Sequence, residues 1–201
     1  MAEKPIIAAI IPAAGLSSRF DGANKLVQPL GVFSIVQHVV QAAKSTGCHS
    51  IIVVTGYEAQ SVRQALRDEP VQVVHNEMFE AGMGASISAG VKEAGDVDGY
   101  LIWPADMPLI KPSSAAAVID EFDPAAIVVP ICDGKRGHPV LFPATFRVPL
   151  EGLTHQNGAR SILNANADSI KEIEIADSGI HCDIDNREDL DRVIQKLYSN
   201  L

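Results

Sequence analysis

Several groups of residues in this chain have the types and spacing for chemistry on a phosphate. The first is Pro12-Ala13-Ala14-Gly15-Leu16-Ser17-Ser18-Arg19-Phe20-Asp21-Gly22-Ala23-Asn24-Lys25. Small residues let backbone N–H groups approach an anion closely. Arg19 adds a planar fork of donors and Lys25 a point charge. No Gly-Lys-Ser/Thr is present, so this is not a Walker A loop. Only Gly15 stands near the turn, so it is not a dinucleotide fingerprint either. A solvated loop with two exposed cations is the plainer alternative.

The second group is Asn76-Glu77-Met78-Phe79-Glu80-Ala81-Gly82-Met83-Gly84-Ala85-Ser86. Gly82 and Gly84 permit a tight turn into a helix, and Ser86 falls in its first turn, where N–H groups are free. An ordinary glycine-rich helix start would look the same. The third is Asp106, aimed by Pro104 and Pro108 at a strand tip, which reads otherwise as a turn or cap residue. The fourth is Asp183-Ile184-Asp185, where residues two apart in an extended segment face one side. A helix-cap cluster accounts for the nearby Glu188 and Asp189, and less well for Asp185. Arg136-Gly137-His138 and Asn157-Gly158-Ala159-Arg160 supply further polar side chains. A lone histidine is more often structural, and Arg160 equally suits an exposed helix start.

These residues need elements to hold them. The run Ile6–Ile11 has no polar alternation and reads as a strand buried on both faces, the habit of parallel sheets. After the loop, Ser34 suits the cap of a helix to about Ser45, with Gly47 as a stop. Strands are expected at 50–55, 71–75, 99–103 and 126–129. Helices are expected at 58–67, 85–93, 113–122 and 187–198. Runs 138–142 and 170–175 read as further strands, one of them antiparallel. Alternation of strand and helix argues for an α/β fold with three layers and a mostly parallel sheet. In such sheets ligands sit outside the carboxyl ends of the strands, and the residues above follow strands.

The chain has 201 residues, 47% of them hydrophobic, enough for a sizeable core. A net charge of -9 argues against a general nucleic-acid or anionic-membrane binder. Cys48, Cys132 and Cys182 lie far apart with no Cys/His cluster, so neither a disulfide framework nor a zinc site is indicated. Reduced thiols suit the cytoplasm. The first apolar run is too short to span a membrane. A single domain over 1–201 is expected.

The motifs, taken in order, resemble the MobA-like NTP transferase family. The first loop resembles its (L/P)AAGxSxRxGxxK signature, with at most one residue inserted near Asp21-Gly22-Ala23. The 76–90 stretch resembles its Asn…Gly-Met-x-x-Ser segment, and Asp106-Met107-Pro108 its DMP motif. Arg136 to Phe142 and Gly158-Ala159-Arg160 resemble segments of the molybdenum cofactor cytidylyltransferase branch. Cys182 to Leu190 resembles DIDTPEDL, with Asn186-Arg187 in place of Thr-Pro. The resemblance runs from about residue 6 to 198.

It implies a Rossmann-like nucleotide-diphospho transferase fold and nucleotidyl transfer, with a nucleotide half to about 110 and an acceptor and metal half from 111. Arg19, Lys25 and Asp106 would be the catalytic group. Ala13, Ala14, Gly15, Asn76, Gly82, Met83 and Ser86 would join them in binding the nucleotide. Arg136, His138 and Arg160 would meet the acceptor, His138 not as a base. Asp106 with Asp185, or Asp183 in its stead, would hold Mg²⁺ or Mn²⁺, which favours carboxylate and phosphate oxygens. Ala13-Ala14-Gly15 resembles members that use pyrimidines, so CTP is the expected donor, molybdopterin the acceptor and a molybdoenzyme the recipient. The rivals are a guanylyl or sugar-1-phosphate uridylyl transferase, a metal-dependent glycosyltransferase using Asp183-Ile184-Asp185, and a binding module without turnover.

Overall fold

The computed structural model describes residues 4–20, 24–154 and 158–198. Its main sheet has the order β10-β7-β9-β6-β1-β4-β5, with β8 added beside β7. The strands are β1 (Ile7–Ala13), β4 (Ser50–Thr55), β5 (Gln72–His75), β6 (Gly99–Ile102), β7 (Ile127–Cys132), β8 (Lys135–Arg136), β9 (Val140–Pro143) and β10 (Ile170–Glu174). A small hairpin of β2 (Pro29–Leu30) and β3 (Phe33–Ser34) stands apart. The helices are α1 (Ile35–Lys44), α2 (Ala59–Ala65), α3 (Met83–Glu93), α4 (Pro112–Asp120), α5 (Arg147–Glu151), α6 (Arg160–Ala165) and α7 (Arg187–Tyr198).

Strand β1 is the spine. It pairs in parallel with β4 on one side and β6 on the other. Its alternate side chains enter different cores, as the two-residue period requires. Ile7, Ala9, Ile11 and Ala13 join α1, α2, α4 and α7, whereas Ala8 and Ile10 join α3, α5 and α6. Helices therefore cover both faces, and an apolar run without alternation is the sequence such a strand needs. The expected antiparallel strand is β9, reversed against both β6 and β7, while β10 runs parallel to β7.

The chain leaves β1 for α1 and β4 on one side, and leaves β6 for α4 and β7 on the other. Adjacent strands whose exits diverge open a crevice at their carboxyl ends. The loops carrying Arg19, Lys25 and Asp106 both empty into it.

Several elements differ from expectation. Helix α3 starts at Met83, two residues early, because Gly82 turns the chain at φ 111°, a conformation glycine adopts without a Cβ penalty. Helix α4 starts at Pro112, whose fixed φ suits a first turn. The long loop before residue 29 contains a 3₁₀ turn at Lys25–Val27. The hairpin, β8, α5 and α6 are additional short elements. No helix among the described residues is long and apolar enough to cross a membrane.

Candidate active site

The loop after β1 is anchored by its apolar and amide side chains. Phe20 is fully buried, with the Arg187 guanidinium over its ring at 5.9 Å. Asn24 is buried and caps the 3₁₀ turn, its Oδ1 accepting from the Leu26 N–H at 2.9 Å and its Nδ2 donating to the Tyr57 carbonyl at 3.3 Å. Ser17 holds a left-handed φ of 51°, and its Oγ accepts from the Lys25 N–H at 3.0 Å. A non-glycine residue there stores of order 1–3 kcal/mol and persists only when its surroundings fix it. Asp21, Gly22 and Ala23 lie outside the described residues.

Lys25 emerges from this turn into the crevice. Its Nζ lies 2.7 Å from Asp106 Oδ2, 2.7 Å from the Ile184 carbonyl oxygen and 3.6 Å from Asp185 Oδ1. Arg19 pairs with the other carboxylate oxygen, Asp185 Oδ2. Side-chain exposure rises from 12% at Lys25 through 20% at Asp106 and 45% at Asp185 to 66% at Arg19. The ion pairs thus run from enclosed floor to open rim. The outer pair is screened and contributes little to stability.

Asp106 is aimed by its backbone. Beyond the end of β6, the Trp103 N–H donates to Ile10 at 3.0 Å and the Ala105 N–H to Pro12 at 3.3 Å, which extends the pairing with β1. Asp185 arrives from the far end of the chain. Buried Asp177 accepts from the Lys111 N–H at 2.9 Å, the Ser114 hydroxyl at 2.7 Å and the Gly179 N–H at 3.0 Å. Gly179 lies so close to the strand-exit loop that a Cβ would stand 2.2 Å from the Leu109 carbonyl. The Ile184 N–H then donates to the Asp106 carbonyl at 3.0 Å. Asn186 and Asp189 cap α7 reciprocally, the Asp189 N–H donating to Asn186 Oδ1 at 3.0 Å and the Asn186 N–H to Asp189 Oδ2 at 3.1 Å.

Arg19, Lys25, Asp106 and Asp185 line a cavity of about 350 Å³ together with Ala14, Gly15, Gly82, Met83 and Ser86. Leu16, Phe79 and Glu80 also face it, although their types and spacing had marked none of them. Ser86 Oγ accepts from Asn76 Nδ2 at 3.1 Å, and Asn76 Oδ1 accepts from the Met78 N–H at 3.0 Å. Asn76 therefore shapes the turn before α3 from behind. Ala13 lies in the core behind Ala14.

The remaining side chains are less convergent. Arg136, on β8, is exposed and pairs with Glu172 at 2.6 Å. His138 is half-buried, and its Nδ1 has no hydrogen-bond partner among the described residues. Burial pushes its pKa below the usual imidazole range, opposed by the Asp106 charge and the Ile102 backbone. Arg160 is exposed at the start of α6, and Asn157 lies outside the described residues. Asp183 faces a neighbouring hollow with Cys182 and Lys196. Burial raises its carboxyl pKa, with backbone hydrogen bonding opposing and the Asp106 and Asp185 charges adding to the rise. The three cysteines are free thiols.

Asp106 and Asp185 offer oxygen donors to one space. Among the described residues no group of three or more His, Cys, Asp or Glu forms a cage of its own. That donor set suits a hard cation sharing its shell with substrate oxygens, the usual habit of magnesium.

The model of the MobA-like NTP transferase domain matches residues 9–170. Among curated proteins, nicotine blue oxidoreductase of Paenarthrobacter nicotinovorans is 24% identical over 198 residues, covering 94% of this chain and 97% of that one. Among solved structures, a nucleotidyl transferase from Methanothermobacter superposes with a TM-score of 0.86 at 23% identity, covering 98% of this chain and 99% of that one. Rv0371c of Mycobacterium tuberculosis, solved with manganese, gives 0.82 at 22% identity, with 94% and 98% covered. With its phosphate-type loop, strand-tip Asp106 and matching frame, the chain belongs to the MobA-like NTP transferase family.

Proposed function

We propose that the protein transfers CMP from CTP to the phosphate of molybdopterin and releases pyrophosphate. An acceptor phosphate oxygen attacks the α-phosphorus, and the bond from that phosphorus to the β-phosphate bridge breaks. The carrying observation is the meeting of Lys25, Asp106 and Asp185 in the crevice where β1 and β6 end. Such transfer needs positioning and neutralised charge more than covalent help.

Arg19, Lys25 and the Gly15 loop would hold the triphosphate. Asp106 and Asp185 would hold Mg²⁺ or Mn²⁺, which would lower the charge that the nucleophile must approach. Asp183 faces the neighbouring hollow, which favours Asp185 as the second carboxylate. Ala14 lines the cavity, and its Cβ takes room that a purine would need, which favours CTP. Arg136, His138 and Arg160 would meet the acceptor, His138 not as a base. A cytoplasmic enzyme handing its product to a molybdoenzyme completes the reading. One full-length relative carries an oxidoreductase's name, so the frame alone does not choose the reaction. The cations and carboxylates of this chain favour phosphate chemistry.

Thermal stabilisation by CTP, GTP, UTP and ATP, with and without Mg²⁺, tests the donor. Ligand at a hundred times its dissociation constant adds about 2.7 kcal/mol. The expected shift needs the metal, is largest with CTP and disappears in Asp106→Ala. A larger shift with GTP or UTP would change the donor, and no shift with any of them would remove the nucleotide site. Pyrophosphate release on adding molybdopterin then tests the acceptor. Ala14→Gly should weaken the preference for CTP over GTP in that assay; unchanged selectivity would refute the steric account.

A further inference from the structure

The carboxylates of Asp106 and Asp185 are ion-paired in the crevice with Lys25 and Arg19, and a third carboxylate, Glu80, borders the same cavity. The Lys25 ammonium has three N–H donors. One reaches Asp106 at 2.7 Å and one the Ile184 carbonyl at 2.7 Å, and Asp185 stands 3.6 Å away. The lysine is also the least exposed member of the set, so these contacts are poorly screened. An ammonium so engaged has little left for a phosphate, and a cation approaching both carboxylates meets a charge of its own sign.

We infer that Lys25 is an internal counter-cation that blocks the divalent-metal position, so that the metal enters with the triphosphate and not before it. The arriving polyanion draws Lys25 and Arg19 from the carboxylates to its own oxygens. The carboxylates are then left for the metal, whose charge offsets part of that brought by the triphosphate. Arg19 contributes less to the block, because it is mostly exposed and, among the described residues, pairs with Asp185 alone. This inference rests on the reading that Asp106 and Asp185 hold the metal.

Mn²⁺ binding, followed through the electron paramagnetic resonance signal of free Mn²⁺, tests it without any turnover. The wild type should bind Mn²⁺ alone weakly and retain it with a non-hydrolysable CTP analogue. Lys25→Met, without nucleotide, should bind Mn²⁺ at least about tenfold tighter than the wild type. Arg19→Met should give a smaller gain. Equal or weaker binding by Lys25→Met overturns the block while leaving the metal site intact. If Asp106→Asn retains Mn²⁺ with the analogue as well as the wild type does, the metal reading fails and the block with it. Should Lys25→Met fail to fold, reductive methylation of wild-type Lys25, read by mass spectrometry, replaces it. Mn²⁺ at a concentration that occupies the site should speed modification of Lys25 relative to Lys92. No change at that occupancy overturns the block.

Discussion

The two sides of the crevice are built differently. On the nucleotide side, Lys25 is held by a capped 3₁₀ turn, Asp106 by continued pairing along β1, and Asp185 by the Asp177 and Gly179 contacts. Lys25, Asp106, Asp185 and Arg19 there each have a partner of opposite sign within the same cavity. On the proposed acceptor side, Arg136 sits on a two-residue strand against an exposed glutamate, and Arg160 stands exposed at a short helix. On the proposed reading, the groups for the chemical step would be fixed in advance, and those for choosing an acceptor would lie on short, exposed elements that can change without disturbing the sheet, as recognition residues on loops commonly do.

The sharpest way to break this contrast is Asp106→Ala. It should lower turnover on the order of a thousandfold with the fold intact, read by pyrophosphate release and circular dichroism. A loss under tenfold would mean that the nucleotide side is not the chemical centre. Next comes the buttress of Asp185. Asp177→Ala strands three donors in a buried position, so about 2–4 kcal/mol should disappear in urea denaturation. Substrate turnover should fall in the surviving folded protein because Asp185 is released. Arg136→Ala should raise the KM for molybdopterin about tenfold and leave the CTP-induced thermal shift unchanged. A changed CTP shift would show that the two sides are not separable.

The smallest effect concerns His138. Its pKa in the folded protein lies below the unfolded imidazole value of about 6.5. The unfolded chain therefore binds the extra proton first as pH falls. This histidine's contribution is fully present above about 6.5 and is lost on acidification towards the folded pKa. His138→Gln should lose less stability than the wild type between pH 7.5 and 5.5, measured by denaturation midpoints.

Much of the frame was legible from periodicity. The β1 and β4 runs are apolar without alternation, α7 carries its apolar side chains at helical spacing, and Ser34 marks the start of α1 with its N–H donating to Gln37 Oε1 at 2.8 Å. The hairpin, β8 and α5 were not legible, because two to five residues carry no period to detect. In the site, side chains that chemistry favours stood out, and backbone groups did not. The carbonyl that holds Lys25 belongs to Ile184, 159 positions away, and an isoleucine gives no polar signal. Alternation would also set Asp183 beside Asp185. The 3₁₀ turn at Ser178–His181 and the inward pull on Ile184 leave that short segment no regular strand; both carboxylates border the neighbouring hollow, and Asp185 alone of the two also reaches the main crevice.

The tie between Ile184 and Asp106 has a topological consequence. Strand β10 ends at Glu174, so a chain cut just after it would keep every strand of the sheet. It would lose Asp185 together with the main-chain clasp on Lys25 and Asp106. The crevice would keep its two cations, Arg19 and Lys25, and lose one of the three carboxylates that line it. Removal of a tail that adds no strand would thus act at the centre of the molecule twice, by taking a negative charge from the crevice and by uncovering the core that Ile180, Ile184, Leu190 and Val193 help to fill.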